Sequence, residues 1–217
     1  GDRLGVCDEK GAIVWPDRYL MLLSRLVLAQ KPGAKIVFDV KVSEALPEDI
    51  AAHGGIPIMW KTGHSYIKAL MAETNAIFGG EHSAHYYFRD FWGADSGMLA
   101  ALHVLAALGT QDGPLSELAA DYQRYAASGE INFTVSDAQA CVDAVLKSFA
   151  DQTVSIDRLD GVTVDLGDGV WFNLRTSNTE PLLRLLVEGE SAPQIKAIAD
   201  DLLAHFKKHS GALAAKK

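Results

Sequence analysis

Apolar runs and helical periods alternate through the first half of the chain. Residues 4–7 and 12–15 flank a turn-forming tetrapeptide and predict a hairpin. An amphipathic helix is predicted at residues 16–30. Beyond it we predict buried strands at residues 35–39, 56–60 and 76–79, and helices at residues 43–53, 65–73 and 95–108. This alternation predicts an α/β domain with a mixed sheet between helices.

The longest apolar stretch, residues 98–108, lies in the last of these helices. It is too short to span a bilayer and contains His103. We therefore predict a buried helix, in which His103 is a core residue rather than a ligand.

The pattern changes after a short helix predicted at residues 114–125. Residues 126–129, Ala-Ala-Ser-Gly, are the best candidate for a linker. After them, the pattern predicts a smaller α+β domain with an antiparallel sheet backed by two helices. Its predicted strands are residues 130–135, 161–166, 170–174 and 182–188, and its predicted helices are residues 138–150 and 192–209.

The composition and net charge of the chain argue against some classes of binding partner. The chain has 217 residues, which fits one or two domains, and a net charge of −8 with no basic run beyond its last two lysines. Nucleic acid is therefore not an expected partner, and neither is a membrane. Cys7 and Cys141 lie far apart and no signal-peptide pattern is present, so we expect a cytoplasmic protein.

Three polar loops each follow a predicted strand. They occupy residues 39–43, 61–64 and 81–85. Ligands of α/β sheets collect at the carboxyl ends of the strands, so these loops predict a binding site. The last loop, Glu-His-Ser-Ala-His, also offers two imidazoles and a carboxylate, which leaves a metal site as an alternative. The aromatic residues 86–88 and 91–92 after it either pack in the core or stack on the ring of a ligand.

Residues 175–181, Arg-Thr-Ser-Asn-Thr-Glu-Pro, connect two predicted strands of the second domain. A guanidinium and several hydroxyl and amide groups are suited to binding phosphate. The alternative is an ordinary turn with Arg175 in solvent. Arg184, in the following strand, either supports this loop or pairs with a carboxylate across the sheet.

Taken together, five motifs resemble those of the α-D-phosphohexomutases, in particular the bacterial phosphomannomutase/phosphoglucomutase branch. The motifs are Gly-Asp-Arg at 1–3, Asp-Val-Lys at 39–41, Lys-Thr-Gly-His at 61–64, Gly-Glu-His-Ser-Ala-His at 80–85 and the loop at 175–181. The resemblance implies four domains around one cleft. This chain then corresponds to the end of the second domain (residues 1–14), the third (15–125) and the fourth (130–217), and we expect an N-terminal portion to be missing.

The resemblance also implies a reaction, the interconversion of hexose 1-phosphate and hexose 6-phosphate of glucose or mannose through a bisphosphorylated intermediate. A phosphoserine of the first domain transfers the phosphoryl group, and this chain does not contain that motif. Mg²⁺ is held by three aspartates in the second domain. Of these only Asp2 is present, an incomplete metal site, so we expect no Mg²⁺ to bind this chain and no activity from it alone.

The implied site residues fall into two groups. Arg3 would stabilise charge near the phosphoserine, Lys41 would contact phosphate or sugar oxygens, and His85 would assist proton transfer at the attacking hydroxyl. The residues implied to bind the phosphosugar are Lys41, His64, Glu81, Ser83, Arg175, Ser177, Asn178 and Thr179.

The chain departs from the family pattern at two positions. Relatives usually carry a bulky apolar residue and a glycine where this chain has His82 and Ala84. The preference for glucose or mannose is therefore open. A phosphosugar-binding module without catalysis and a purely structural fragment remain as alternatives to the mutase.

Overall fold

The computed structural model of the protein describes residues 1–177 and 182–210, with side chains described to residue 207. The chain divides into two compact units, Gly1–Arg124 and Tyr125–Lys217. Among the described residues, no helix is both long and apolar enough to cross a membrane. Cys7 and Cys141 are both free thiols.

The first unit is built on a five-stranded sheet. The elements of this unit, in chain order, are β1 Val6–Cys7, β2 Ile13–Val14, α1 Pro16–Gln30, β3 Lys35–Asp39, α2 Ala45–Ala52, β4 Ile56–Trp60, α3 His64–Thr74, β5 Phe78–Gly80, β6 Tyr86–Phe88, β7 Ala94–Asp95, α4 Gly97–Leu108 and α5 Leu115–Ala120. The order of the strands in the sheet is β4-β3-β5-β6-β7. Strand β3 pairs in parallel with β4 and β5, whereas the β5–β6 and β6–β7 pairs are antiparallel.

Helices cover both faces of this sheet. At Gly79 a Cβ atom would lie 3.0 Å from the Met71 sulfur of α3, and at Gly80 it would lie 2.5 Å from a Leu20 methyl of α1. The two glycines therefore let α3 and α1 approach opposite faces of β5. The mixed sheet between helices is as predicted, and the strand β6 adds three buried aromatic residues to the core.

Helix α4 differs from the prediction of a buried helix. Its buried positions are small residues and one valine, whereas Met98, Leu102 and Leu105 are 69%, 58% and 62% exposed. Small residues suit the face that packs against α1, because they allow the two helices to approach closely. The large apolar side chains consequently lie on the outer face. His103 is partly buried and stacks on Phe88, with 5.7 Å between the ring centroids.

The second unit is an antiparallel sheet backed by two helices, as predicted. The elements are β8 Ala126–Ala127, β9 Ile131–Thr134, α6 Ala138–Ser148, β10 Ser155–Asp157, β11 Val162–Gly167, β12 Val170–Thr176, β13 Leu182–Gly189 and α7 Ala192–Ser210. The strands follow the order β10-β11-β12-β13-β8, and β9 also pairs with β13. The core of this unit contains Phe133, Phe172 and Phe206.

The predicted linker is part of this sheet. Ala126 and Ala127 pair with the end of β13, and the Ser128 hydroxyl accepts a hydrogen bond from the Val187 N–H at 2.9 Å. The predicted linker therefore contains a short strand. The boundary between the two units lies just before this strand, between Arg124 and Tyr125.

Candidate functional site

The polar loops after β3 and β4 and the segment after β5 lie at one edge of the first unit's sheet, because these three strands are parallel. The N-terminal segment reaches the same edge, where Arg3 forms a β-bridge with His85. Close approach of that segment to α4 depends on Gly97. A Cβ atom there would lie 2.3 Å from the Arg3 carbonyl oxygen.

Glu81 is almost completely buried and both of its carboxylate oxygens accept hydrogen bonds. The Gly63 N–H donates to Oε1 at 2.6 Å, and the Tyr87 hydroxyl donates to Oε2 at 2.6 Å. Burial, followed by this hydrogen bond to Glu81, raises the pKa of Tyr87 far above its ordinary value, so the phenol stays protonated as a donor. The Glu81 carboxylate is thereby fixed beside His64, the residue that follows Gly63.

Asp39, at the start of the loop 39–43, is hydrogen-bonded to the loops 61–64 and 81–85. Its Oδ1 accepts a hydrogen bond from the His82 N–H at 2.9 Å, and its Oδ2 accepts one from the Thr62 hydroxyl at 3.0 Å. The Lys41 Nζ, on a largely buried side chain, lies 3.7 Å from Asp39 Oδ2. Lys41 is thus placed at the same edge as the two neighbouring loops.

His85 is the most densely contacted of the predicted site residues. Its Nδ1 lies 2.7 Å from Asp95 Oδ2, and its Nε2 lies 2.9 Å from the Arg3 Nε and 3.2 Å from the His64 Nε2. Since Arg3 can only donate, Nε2 accepts and the His85 proton is on Nδ1, facing Asp95. An imidazole whose Nδ1–H is hydrogen-bonded to a carboxylate, and whose Nε2 is an acceptor, has the arrangement of a general base.

Asp95 was not predicted as a site residue. Burial raises its pKa, but the hydrogen bonds from His85 and Lys68 together lower the pKa below its ordinary value. Its Oδ1 lies 3.1 Å from the Lys68 Nζ and 3.5 Å from the His64 Nδ1. The sequence pattern placed Asp95 at the start of a helix, whereas Ser96 is the N-cap and Asp95 belongs to β7.

The other residues of the loop at 81–85 have different environments. Ser83 is partly buried. The His82 ring stacks on Trp15, with 6.0 Å between the centroids, so it points to a different neighbour from His85. The alternative of a metal site shared by His82 and His85 is therefore not supported. Ala84 adopts a left-handed backbone conformation with φ 71°, which favours glycine.

Asp2 lies close to this cluster. One ligand atom each of Asp2, His64, His85 and Asp95 lies within 4.8 Å of the others. Mg²⁺ prefers six oxygen ligands, and half of this set is imidazole. These residues therefore do not fit Mg²⁺, and no chemistry of that ion can be derived from them.

The second unit contains the other predicted motif. Arg175 lies at the end of β12 rather than in the loop, directly opposite Arg184 of β13. Arg184 donates to Glu130 at 2.9 Å and to the Ser177 hydroxyl at 3.3 Å, so it makes both of the contacts that the sequence left open. The Arg175 Nε is buried and has no hydrogen-bond partner among residues 1–177 and 182–210. Asn178 and Thr179 lie outside the described residues.

The arrangement combines a fixed carboxylate, cationic side chains and a backed imidazole at one edge of the first unit. Such a set can accept hydrogen bonds from hydroxyl groups, attract an anion and move a proton. The two arginines of the second unit add positive charge, and Arg184 is paired with Glu130.

Two family models match the chain. The one described as "Phosphoglucomutase/phosphomannomutase, alpha/beta/alpha domain III" matches residues 15–125, and the one described as "Phosphoglucomutase/phosphomannomutase, C-terminal domain" matches residues 130–205. A phosphomannomutase of Methanocaldococcus jannaschii is 39% identical over 202 residues, which are 93% of this chain and 44% of that protein.

Solved structures are also similar. A phosphoglucomutase/phosphomannomutase family protein from Burkholderia thailandensis is 35% identical with a TM-score of 0.82, covering 96% of this chain and 44% of that one. An Aspergillus fumigatus N-acetylphosphoglucosamine mutase, solved with GlcNAc-6P and magnesium, has a TM-score of 0.69 at 14% identity, covering 97% and 47%. The chain thus spans less than half the length of these proteins. It belongs to the phosphoglucomutase/phosphomannomutase family.

Proposed function

We propose that this chain supplies the sugar and phosphate recognition of a phosphohexomutase, an isomerase that interconverts hexose 1-phosphate and hexose 6-phosphate. The observation that carries the proposal is the direct contact between residues of separate motifs. The His85 Nε2 lies within 3.2 Å of both Arg3 and His64, and the Gly63 N–H binds Glu81. Relatives named phosphomannomutase support the same assignment.

Each group takes a role that its surroundings permit. Glu81 accepts hydrogen bonds from vicinal hydroxyls of the sugar, because a carboxylate oxygen with one donor still has a free lone pair. Ser83 and His64 add contacts to the sugar, and Lys41 is a point charge beside its oxygens. In the second unit, Arg175 and Ser177, with Asn178 and Thr179, bind the phosphate that does not react.

His85 carries the proton transfer in this proposal. In this step Arg3 first turns from the His85 Nε2 to the phosphoryl group, which frees the lone pair of that nitrogen. With its own proton on Nδ1 toward Asp95, His85 then accepts a proton at Nε2 from the attacking hydroxyl, and Asp95 stabilises the imidazolium that forms. Arg3 offsets the charge of the phosphoryl group. Positioning and charge stabilisation are most of what phosphoryl transfer requires. A histidine oriented by a carboxylate is suited to proton transfer, which a module that only binds phosphosugar does not need. The His85–Asp95 pair therefore favours a mutase.

The phosphoserine that donates the phosphoryl group and the resident Mg²⁺ belong to motifs that these 217 residues do not carry. We therefore expect the chain alone to bind phosphosugar without converting it. Purified chain that turns glucose 1-phosphate into glucose 6-phosphate would contradict this expectation. The missing contacts also weaken binding, to a dissociation constant on the order of millimolar.

Calorimetric titration with glucose 1-phosphate tests phosphate recognition. Arg175→Ala should weaken binding by at least about tenfold, since hydrogen bonds to a charged group contribute about 1.5–3 kcal/mol. Arg158→Ala is the matched control, because it removes the same charge from an exposed position after β10 of the same unit. Equal affinities of the two variants would refute the role of Arg175.

A further inference from the structure

A cavity of about 270 Å³ opens between α1 and α4 of the first unit. Ile77, just before β5, and Phe88, at the end of β6, form part of its lining. Glu81 and His85 lie at the opposite ends of the same two strands. The cavity is therefore separate from the candidate functional site, and none of its described lining residues takes part in the proposed function.

Flat rings form part of the cavity wall. The Phe88 and His103 rings are nearly parallel, with 20° between their planes and 5.7 Å between their centroids, and Phe91 lines the same space. Val27 of α1 and Leu99 of α4 add aliphatic surface. Aromatic groups gain from offset or edge-to-face contact with one another beyond the burial of area, so this wall favours a flat ring over an alkyl chain.

The cavity also has polar groups available to a ligand. Among the described residues, the side-chain amide of Gln30 and the imidazole of His103 make no hydrogen bond, although both line the cavity and His103 is partly buried. A ring nitrogen of an imidazole accepts a hydrogen bond from a hydroxyl group. The charged residues of the described lining, Lys31 and Asp90, pair with each other at 3.3 Å, so a neutral ligand fits better than an ion.

The size of the cavity limits the ligand. Sites for drug-sized molecules occupy about 300–1,000 Å³, whereas an apolar cavity of about 150 Å³ holds benzene. We propose that this cavity binds a neutral phenol of one or two rings, with the ring between α1 and α4 and the hydroxyl group donating to His103. The cavity is a second binding site of the protein, and it does not depend on the proposed function.

The test is an NMR titration of the 217-residue chain at about pH 8, with labelled isoleucine, leucine and valine methyl groups. The probes are p-cresol and toluene, which has the same ring and methyl group without the hydroxyl. We expect p-cresol to cause saturable shifts of the Ile77, Val27 and Leu99 methyl signals. His103→Phe keeps a ring of similar size, so it should weaken p-cresol binding by about fivefold relative to toluene, the effect of one hydrogen bond.

Variants that fill the cavity locate the probes. Leu99→Trp should abolish the binding of both probes. The matched control is Leu102→Trp, at an exposed position of the same helix outside the lining, and it should leave both affinities unchanged. Val27→Phe fills the cavity from α1 and replaces Leu99→Trp if circular dichroism shows that variant to be unfolded.

The proposal is overturned if p-cresol does not bind, if the filled cavity still binds it, if hexanol binds more tightly, or if His103→Phe weakens both probes alike. Displacement of p-cresol by glucose 1-phosphate would overturn it too, because the probe would then occupy the candidate functional site. The proposed function fails separately, if glucose 1-phosphate itself does not bind.

Discussion

Glu81 is held in one position by the protein itself. Its two oxygens are fixed by the Gly63 N–H and the Tyr87 hydroxyl, and its side chain is only 1% exposed. A group that is already ordered loses little conformational entropy when it binds a ligand. The Glu81 side chain is therefore preorganised for binding. His85 is preorganised in the same way, by its hydrogen bonds with Asp95 and Arg3.

Ala84 is the strained residue of the same loop. Its φ of 71° lies in the left-handed region, which costs an L residue with a Cβ about 1–2 kcal/mol. Ala84→Gly should raise the free energy of unfolding by about 0.5–1 kcal/mol, because part of the relief is lost to the greater freedom of glycine in the unfolded chain. Urea denaturation measures the change.

The control for this substitution is Ala204→Gly, at an exposed position of helix α7. There the same change should destabilise by about 1 kcal/mol, since glycine is a poor helix residue. If both variants are destabilised alike, the strain at Ala84 is not real.

Four tyrosines resist ionisation. Burial raises the pKa of Tyr19, Tyr86, Tyr87 and Tyr122. Because these folded-state pKa values exceed the unfolded value of about 10, the stability that they contribute is complete below that pH and is lost as the pH rises above it. At pH about 11, the folded chain should therefore show much less phenolate absorbance than the chain in denaturant.

Tyr87→Phe checks which tyrosine is protected. It should lower the phenolate absorbance of the unfolded chain by one tyrosine and leave that of the folded chain unchanged at the same pH. An equal decrease in both states would show that Tyr87 ionises freely.

Much of the site at this scale follows from residue type and motif. Arg3, His64 and His85 were singled out by the sequence, and the structure brings them into contact. Asp95 and Tyr87 were not, because their roles arise from the pairing of β5, β6 and β7. No short sequence motif around Asp95 indicates its role, since its partners His85 and His64 lie outside the neighbouring residues.

At the scale of elements, the long patterns and the hairpin of β1 and β2 were predicted, whereas several short strands were not. The strand at Lys35–Asp39 and the helix at Pro16–Gln30 have the predicted bounds. Strands β7, β8 and β10 contain two or three residues, too few to show a period of two. The exposure of α4 was missed because apolar composition does not indicate which face of a helix packs.

A buried carboxylate joins two helices and the end of the first unit. Asp49 of α2 is fully buried and accepts hydrogen bonds from Arg25 of α1 at 2.8 and 2.6 Å and from Arg124 at 2.6 Å. Asp49→Ala should lower the free energy of unfolding by about 2–3 kcal/mol, because Arg25 loses its carboxylate partner and Arg124 keeps only Glu48, at 3.6 Å. Their partial exposure keeps the loss below that of a fully buried pair.

Asp90→Ala is the comparison for Asp49→Ala. Asp90 also binds two cations, Lys31 at 3.3 Å and Arg89 at 3.1 Å, but its side chain is 72% exposed. Exposed pairs contribute about 0–1 kcal/mol, so this variant should lose far less. Thermal or urea unfolding of both proteins measures the difference, and similar losses would contradict the importance assigned to burial.

At the scale of the whole molecule, the chain consists of two units with separate cores, and both units match models of the same protein family. Net charge of −8 means that an anionic ligand is repelled overall, so its binding must depend on local cations. Such cations are present in each unit, Arg3 and Lys41 in the first and Arg175 and Arg184 in the second. The order of the motifs along the chain predicts this distribution, because each predicted domain carries at least one of them.

The most direct test of phosphosugar recognition is an NMR titration of the isotope-labelled chain with glucose 1-phosphate. We predict saturable shifts of the Gly63 and His82 amides, which bind Glu81 and Asp39, together with the Arg175 amide. Inorganic phosphate should move the Arg175 amide and leave Gly63 in place, and Glu81→Gln should abolish the response of Gly63 to the sugar phosphate. Unmoved amides at Gly63 and His82, or an unchanged response in Glu81→Gln, would contradict the account.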